Sequence, residues 1–238
     1  MPARFRFGKP CRKWRAGKGS RLLLLGATGL VGGHVLRQAL ANPAVSVIIA
    51  PTRKPLPPYA AGGKTLINPQ ISFEDMRTCV QERTVDAAIC ALGTTMHKAG
   101  SRNAFRQVDY DYPLAFARLA QSLGASTFAL TSAAGADPDS RFFYNRVKGE
   151  LEQALLQENF RSLTFVRPGV IGGARKEVRP GEMALKLALR VFAPFLPRRW
   201  RLNPAAEIAA RLIQSALNPQ PGISIIRAAD MAGKRATQ

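Results

Sequence analysis

The stretch RLLLLGATGLVGGHVLRQAL, residues 21–40, places an apolar run, a glycine-rich turn and a helical pattern in immediate succession. The run 21–25 stops at Gly26, as a strand buried inside a parallel sheet does. From Leu30 onward, apolar residues recur at the three- and four-residue spacing of a helix that buries one face. Glycines at 26, 29 and 32 permit a tight turn and let a pyrophosphate approach the backbone, where the amino end of the helix favours negative charge. The stretch therefore predicts a phosphate-binding turn, and a turn that serves packing alone is the alternative.

Strand-like and helix-like segments alternate along the chain as far as about residue 168. Strands are predicted at 44–50, 65–70, 86–93, 126–132 and 162–169, with helices at about 73–83 and 102–123 and a further helix that carries Tyr144 and Lys148. This alternation predicts an α/β fold with a doubly wound parallel sheet, the Rossmann fold. Helices at 181–197 and 204–217 and a last short strand from 222 follow, so we expect one domain over 21–238 with a small C-terminal substrate-side region at about 170–238.

The net charge of +20 is unevenly distributed, since the first 21 residues contain eight Lys or Arg and no acid. Such a segment repels itself and lacks periodicity, so residues 1–20 are predicted to form a disordered basic arm. Weak contact with nucleic acid phosphates, a transit-like leader and an over-extended start of the reading frame are the alternatives.

The lengths of the apolar runs and the number of cysteines argue against a membrane-spanning protein and a disulfide-rich secreted protein. No window contains 18 consecutive apolar residues, so no transmembrane helix is predicted. The three cysteines are odd in number and lack the spacing of metal ligands, which favours a reducing compartment and no metal site. From this we expect a cytoplasmic protein.

The end of the second predicted strand, APTRKP, contains no acidic residue. An Asp or Glu at this place would bind a ribose 2′-hydroxyl, whereas cationic side chains accommodate a 2′-phosphate. Arg53 and Lys54 therefore favour NADP over NAD, with NAD still possible. Two solvated loop cations are the alternative interpretation.

Ser132, Tyr144 and Lys148 follow the fifth predicted strand and form a candidate catalytic set. Ligands of an α/β sheet bind outside the carboxyl ends of its strands, which places these residues at the cofactor edge. Tyr144 and Lys148, four residues apart, share one face of a helix, where an ammonium favours the phenolate form of the tyrosine. Ser132 would hydrogen-bond the substrate oxygen, Tyr144 would transfer the proton, and Lys148 would tune Tyr144. A surface pair behind a polar strand end is the alternative.

Several motifs, taken in order, resemble one branch of a known superfamily. The glycine turn, the Ser132, Tyr144 and Lys148 set, and CALGTTMHKAG, VDYDYP, TSAAGAD, FYNRVKGELE, RPGVI and RPGE are similar to the atypical short-chain dehydrogenases/reductases, in the branch of the HIV-Tat-interacting oxidoreductase-like protein and its bacterial relatives. The resemblance implies an NADP-binding Rossmann domain with a C-terminal substrate-side region. Besides Lys54, which follows from the APTRKP segment, the resemblance implies a set of cofactor-binding residues: Gly26, Thr28, Gly29, Leu30, Val31, Arg53, Leu92, Gly93, Thr94, Tyr144, Lys148, Pro168, Gly169 and Val170.

The chain departs from that branch at the adenosine end of the expected site. Pro51 and Thr52 stand where the branch is expected to carry Gly and Arg, and Ser72 stands where it often carries Asp. The resulting expectation is an NADP-dependent oxidoreductase that acts on a small carbonyl, alcohol or related substrate. The alternative is a non-catalytic NADP(H)-binding sensor that binds a protein partner.

Overall fold

Seven parallel strands form one sheet in the computed structural model, which describes residues 19–60, 62–72, 84–172 and 202–231. In chain order, the strands of this sheet and of a smaller pair are β1 (Ser20–Leu25), β2 (Val45–Ile49), β3 (Thr65–Ile67), β4 (Ala87–Cys90), β5 (Thr127–Thr131), β6 (Ser162–Arg167), β7 (Ile171–Gly172), β8 (Asn203–Pro204) and β9 (Gly222–Arg227). The large sheet has the order β3-β2-β1-β4-β5-β6-β9, and β7 pairs with β8. Because the chain winds outward from β1 in both directions, the predicted doubly wound sheet is confirmed.

Helices cover both faces of this sheet. They are α1 (Leu30–Ala41), α2 (Met96–Ala99), α3 (Arg102–Arg106), a π-helical segment (Gln107–Asp111), α4 (Tyr112–Ser122), α5 (Phe143–Leu156) and α6 (Ala205–Leu217), and a 3-10 turn covers Ala228–Met231. Alternate side chains of β1 enter different layers: Leu22 and Leu24 pack with α1 and α6, whereas Leu23 and Leu25 pack with α4 and α5. All four are buried, which explains the uninterrupted apolar run that begins the chain's first motif.

The predicted helix at 102–123 is interrupted by the π-helical segment. The wider turn brings the side chain of Asp109 inward, and this carboxylate is completely buried. The short helix α2 was not predicted. The interruption therefore carries a charged group into the protein, which an amphipathic pattern alone does not reveal.

The described C-terminal residues complete the main sheet. Strand β9 pairs with β6 along six residues, and α6 packs its apolar side in the same cluster as α1. The segment from Ala205 to Arg227 thus belongs to the Rossmann sheet and its helical layer, whereas β8 belongs to the small pair with β7. The predicted basic arm up to residue 18, the predicted helices at 73–83 and 181–197, and residues 173–201 and 232–238 of the substrate-side region lie outside the described residues. Within the described part of the chain, every helix is too short or too polar to cross a bilayer.

Candidate nucleotide-binding and active site

The glycine turn between β1 and α1 is closed on one side and open on the other. Gly26 has φ of +87°, and a Cβ there would lie 2.6 Å from the carbonyl carbon of Ala91. A Cβ on Gly32 would lie 2.0 Å from the carbonyl oxygen of Gly26. At Gly29, by contrast, the same oxygen at 3.2 Å is the sole heavy atom that a Cβ would meet within 4 Å. The turn is therefore packed at Gly26 and Gly32 and accessible at Gly29.

The amino end of α1 has the features that an anion site requires. Gly29 is its N-cap residue, and no side chain caps the helix. The amides of its first turn, which includes Leu30 and Val31, therefore have no capping side chain as a partner. Thr28 and Gly29 are exposed beside them. Amide donors and the positive end of the helix dipole fit a pyrophosphate.

A rigid turn follows β2 and presents two cations to solvent. The Thr52 hydroxyl donates to the carbonyl of Lys54 at 2.6 Å and accepts from the side-chain amide of Asn68 at 2.7 Å. Asn68 also donates to the carbonyl of Ala50 at 2.6 Å. Thr52 is buried, whereas Arg53 and Lys54 are exposed. The departure from the expected Arg at position 52 therefore has a structural explanation, because Thr52 holds the turn that carries Arg53.

Lys148 is buried and its charge is paired. Its Nζ lies 2.6 Å from Oδ1 of Asp109, and Oδ2 of Asp109 accepts the Thr94 N–H at 2.8 Å. Burial by itself lowers the pKa of Lys148, but the Asp109 carboxylate, the phenol of Tyr144 and the hydrogen bond to Asp109 together raise it. Lys148 is thus a cation at neutral pH.

The exit of β4 passes directly over this ion pair. A Cβ at Gly93 would lie 3.2 Å from Oδ1 of Asp109 and 3.7 Å from Nζ of Lys148. The hydrogen bond from Thr94 to Asp109 ties the same backbone to the π-helical segment. The structure therefore brings together the predicted cofactor wall, Leu92, Gly93 and Thr94, and the predicted Lys148.

Tyr144 lies in the first turn of α5, one turn before Lys148. Its ring centroid is 5.7 Å from that of the fully buried Phe105, yet 39% of the residue remains exposed. One side of the ring is thus fixed by packing while the rest is accessible. A phenol at the surface with a buried ammonium behind it is an arrangement suited to proton transfer.

Ser132 has a partner inside the protein. Its hydroxyl forms a short hydrogen bond with Oε1 of Glu152, and the same carboxylate is paired with Arg167, whose Nε lies 3.0 Å from Oε1. A carboxylate held by a guanidinium is an acceptor, so Ser132 is the donor. Ser132 and Glu152 are both buried. In this arrangement the proton of the Ser132 hydroxyl is directed at Glu152.

The segment Pro168, Gly169 and Val170 leaves the carboxyl end of β6. The Pro168 carbonyl accepts the Ala134 N–H at 2.9 Å, and the Gly169 N–H donates to Oδ1 of Asn203 at 2.8 Å. Val170 is 43% exposed. The segment therefore stands at the same sheet edge as Tyr144 and is held in place on two sides.

Three functional candidates were missed by the sequence patterns: Asp109, Glu152 and Asn203. Glu152 lies four residues after Lys148, so the helical spacing that selected Tyr144 and Lys148 also places it on the same face. Asp109 and Asn203 have no local signal. Cys90, the described cysteine, is buried, and burial raises the pKa of its thiol to about 12, which makes it unreactive.

Known proteins resemble this chain along most of its length. It is 34% identical to protein fmp52, mitochondrial, of Aspergillus fumigatus over 171 residues, which cover 70% of this chain and 73% of that protein. It is 32% identical to protein HTATIP2 of Rattus norvegicus over 205 residues, which cover 84% of this chain and 83% of that protein. The chain belongs to the HTATIP2 and FMP52 family. The resemblance to atypical short-chain dehydrogenases/reductases inferred from its motifs is confirmed, although no profile of a known protein family matches the chain.

Solved structures share the fold of this family member. The Bordetella bronchiseptica enzyme WbmG, solved in complex with NAD, has a TM-score of 0.66 and 12% sequence identity, covering 90% of this chain and 74% of that one. At this identity the likeness shows the fold alone, a Rossmann architecture of the short-chain dehydrogenase and epimerase type.

The expectation of a cytoplasmic location is wrong. The fungal FMP52 proteins are named as mitochondrial proteins. The chain is 34% identical to those of Aspergillus fumigatus and Saccharomyces cerevisiae and 36% identical to that of Candida albicans. The expectation failed because an odd number of cysteines indicates a reducing environment, which is not specific to the cytoplasm.

Proposed function

We propose that the protein is an NADP(H)-dependent oxidoreductase that interconverts a small carbonyl compound and its alcohol. The observation that carries the proposal is the accessible phenol of Tyr144, one helical turn from a buried Lys148, at the sheet edge that also bears the open glycine turn. Family membership and the Rossmann fold support it, because both belong to the short-chain dehydrogenase/reductase type.

The residues of this edge would hold a nicotinamide dinucleotide from end to end. The first turn of α1 would bind its pyrophosphate, and Lys148 with Tyr144 would hold the nicotinamide ribose. The presence of NAD in WbmG supports this class of cofactor. Arg53 and Lys54, exposed beyond β2 with no acid in the segment 50–60, favour a 2′-phosphate and hence NADP. When bound, the nucleotide supplies or accepts the hydride.

Proton transfer is assigned to Tyr144. In the reducing direction the Tyr144 hydroxyl would give its proton to the carbonyl oxygen of the substrate as that oxygen gains negative charge, leaving a phenolate. The ammonium of Lys148 stabilises that phenolate, and Asp109 limits the effect because its carboxylate partly neutralises the same ammonium. Tyr144 is therefore the group whose removal should stop turnover.

The experiment compares Tyr144→Phe with Tyr110→Phe on a panel of aldehydes, ketones and quinones, following the absorbance of NADPH. Tyr110 is the matched control because its ring lies under the guanidinium of Arg106, 4.3 Å from centroid to carbon, on the outer side of α5. We expect Tyr144→Phe to lower kcat at least about 100-fold, as loss of a general acid does, and to weaken NADPH binding by no more than the roughly tenfold that one hydrogen bond to the ribose contributes. Retained activity in Tyr144→Phe would remove the phenol from the mechanism.

A specific observation supports a second candidate, a cofactor-binding sensor without turnover. Because Ser132 directs its proton at Glu152, it has no proton left for a substrate oxygen in this arrangement. The sensor would bind NADP(H) and expose a different surface to a protein partner in the two redox states. Ser132→Ala separates the two candidates. If wild type turns over a substrate and Ser132→Ala lowers kcat, the enzyme is supported. If wild type shows no turnover and Ser132→Ala binds NADPH as well as wild type does, the sensor is supported.

A further inference from the structure

Asn203 is a completely buried amide that joins two distant segments. Its Oδ1 accepts the N–H of Gly169 at 2.8 Å, and its Nδ2 donates to the carbonyl of Ala228 at 2.9 Å. Its own backbone N–H donates to the carbonyl of Val170 at 2.9 Å. The residue thus uses side chain and backbone together to hold the segment that follows β6.

Helix capping does not account for this side chain. An Asn immediately before a helical pattern ordinarily caps the helix, but the N-cap of α6 is Pro204 and no side chain caps it. The contacts of Asn203 require one acceptor and one donor within a single short planar group. Asp and Leu are of similar size, but an ionised Asp supplies no donor and Leu supplies neither group. Asn at this position is therefore matched to the tie between Gly169 and Ala228.

The tie fixes the orientation of one peptide group. The carbonyl of Pro168 and the N–H of Gly169 belong to the same planar unit, and Ala134 holds the first while Asn203 holds the second. Without the Asn203 contact, that plane is held by the Ala134 hydrogen bond alone. The carbonyl of Val170, next along the segment, is also bonded to Asn203.

We propose that Asn203 is a positioning residue for the nicotinamide half of the cofactor. It would set the wall formed by Pro168, Gly169 and Val170 at the carboxyl end of β6 and link that wall to Ala228 beyond β9. This inference rests on the proposed function, since it assumes that a nicotinamide dinucleotide lies along the sheet edge. Asn203 itself would touch neither the cofactor nor the substrate.

Asn68 offers a matched control at the opposite end of the same edge. Its Oδ1 accepts the N–H of Leu56 at 2.8 Å and its Nδ2 donates to the carbonyl of Ala50, so it ties the turn that carries Arg53. Both residues are amides that bridge backbone segments. Under the proposal, Asn203 acts on the nicotinamide end and Asn68 acts on the adenosine end.

The test titrates purified wild type, Asn203→Ala and Asn68→Ala with two probes, NADPH and 2′-phospho-ADP-ribose, which lacks the nicotinamide. For Asn203→Ala we expect NADPH to bind roughly tenfold more weakly, the scale of one hydrogen bond, with the affinity for 2′-phospho-ADP-ribose changed less than about twofold. For Asn68→Ala we expect both affinities to fall by the same factor. Circular dichroism at each step verifies that the variants are folded.

Equal weakening of both probes in Asn203→Ala, or no weakening, overturns the proposal. Should Asn203→Ala fail to fold, Asn203→Leu takes its place, because it fills a similar volume without a buried charge and lacks both the acceptor for Gly169 and the donor for Ala228. The same selective loss is expected from it. If neither variant folds, Asn203 serves stability and the proposal is wrong. If wild type binds neither probe, the proposed function is wrong. If wild type binds both probes with equal affinity, the nicotinamide half adds nothing to binding; the proposed cofactor is then supported and the role of Asn203 is not.

Discussion

The phosphate end of the site, between β1 and α1, consists of backbone and glycine, whereas the reaction end, where β4, β5 and β6 meet α5, consists of buried charged and amide side chains. At the phosphate end, close contacts at Gly26 and Gly32 determine the shape within a single turn. At the reaction end, the buried residues Asp109, Lys148, Glu152 and Asn203 come from three elements, the π-helical segment, α5 and β8.

Because the two ends are built differently, different kinds of substitution should disrupt them. A glycine turn fails when a side chain is added, because atoms then overlap. A buried ion pair fails when a side chain is removed, because the remaining charge loses its partner while it stays out of water. Substitutions of opposite kinds should therefore damage the two ends.

The largest effect is expected for Asp109→Ala at the reaction end. Lys148 would keep a buried ammonium without its carboxylate, which should lower the free energy of unfolding by about 3–5 kcal/mol, measured by urea denaturation at neutral pH. The control is the double variant Asp109→Leu with Lys148→Met, which removes both charges and should lose less than the single variant. A loss below about 1 kcal/mol in Asp109→Ala would contradict the importance of the pair.

Gly32→Ala tests the phosphate end. Its Cβ would lie 2.0 Å from the Gly26 carbonyl oxygen, so we expect a loss of about 1–3 kcal/mol in unfolding free energy, together with loss of NADPH binding. Gly33→Ala is the matched control, since its nearest contact would be 3.6 Å and alanine favours a helix interior by about 0.5–1 kcal/mol. Equal behaviour of the two variants in thermal unfolding would refute the close-packing account.

Arg53→Ala extends the comparison to the adenosine end of the site, beyond β2, where the expected contact comes from an exposed side chain. We expect calorimetry to show NADPH affinity reduced roughly tenfold, about 1.4 kcal/mol, and NADH affinity unchanged. Arg161→Ala is the control, an exposed arginine at the amino end of β6. A parallel fall for NADH would mean that Arg53 does not read the 2′-phosphate.

The smallest effect is expected from alkaline pH. Burial raises the pKa of Cys90 from 9.0 to about 12, so its contribution to stability is complete below pH 9 and is lost as pH rises towards 12. Despite its burial, Lys148 has a raised pKa because of Asp109, and its contribution is lost above about pH 10.5. The loss up to pH 9 should be less than about 1 kcal/mol, measured by urea denaturation from pH 7 to 9. A Cys90→Ala variant should show a shallower decline, and an identical decline would exclude the thiol as its source.

The predicted fold was accurate where signals were local. The run before Gly26 and the spacing after Leu30 correspond to β1 and α1, and the last predicted strand is β9. Helical spacing also put Tyr144 and Lys148 on one face. These features depend on residues within one or two turns of each other, which a single sequence displays directly.

Other features of the site could not be inferred in this way. Asp109 lies within what was predicted as one long helix, Ser132 was predicted to hydrogen-bond the substrate oxygen, and no role was predicted for Asn203. Their partners are Lys148, Glu152 and Gly169, each brought near by the pairing of strands and the packing of α5 and β8. A pattern of residue types carries no information about such contacts until the topology is known.

The sequence by itself determined the parallel sheet, the glycine turn after β1 and the helix that bears the phenol and the amine, because apolar periodicity and glycine geometry act over a few residues. Only the tertiary structure decided which polar groups are buried together and which protons are already engaged. The physical reason is that a buried charge or amide must find its partner inside the protein, and that partner is chosen by the fold as a whole.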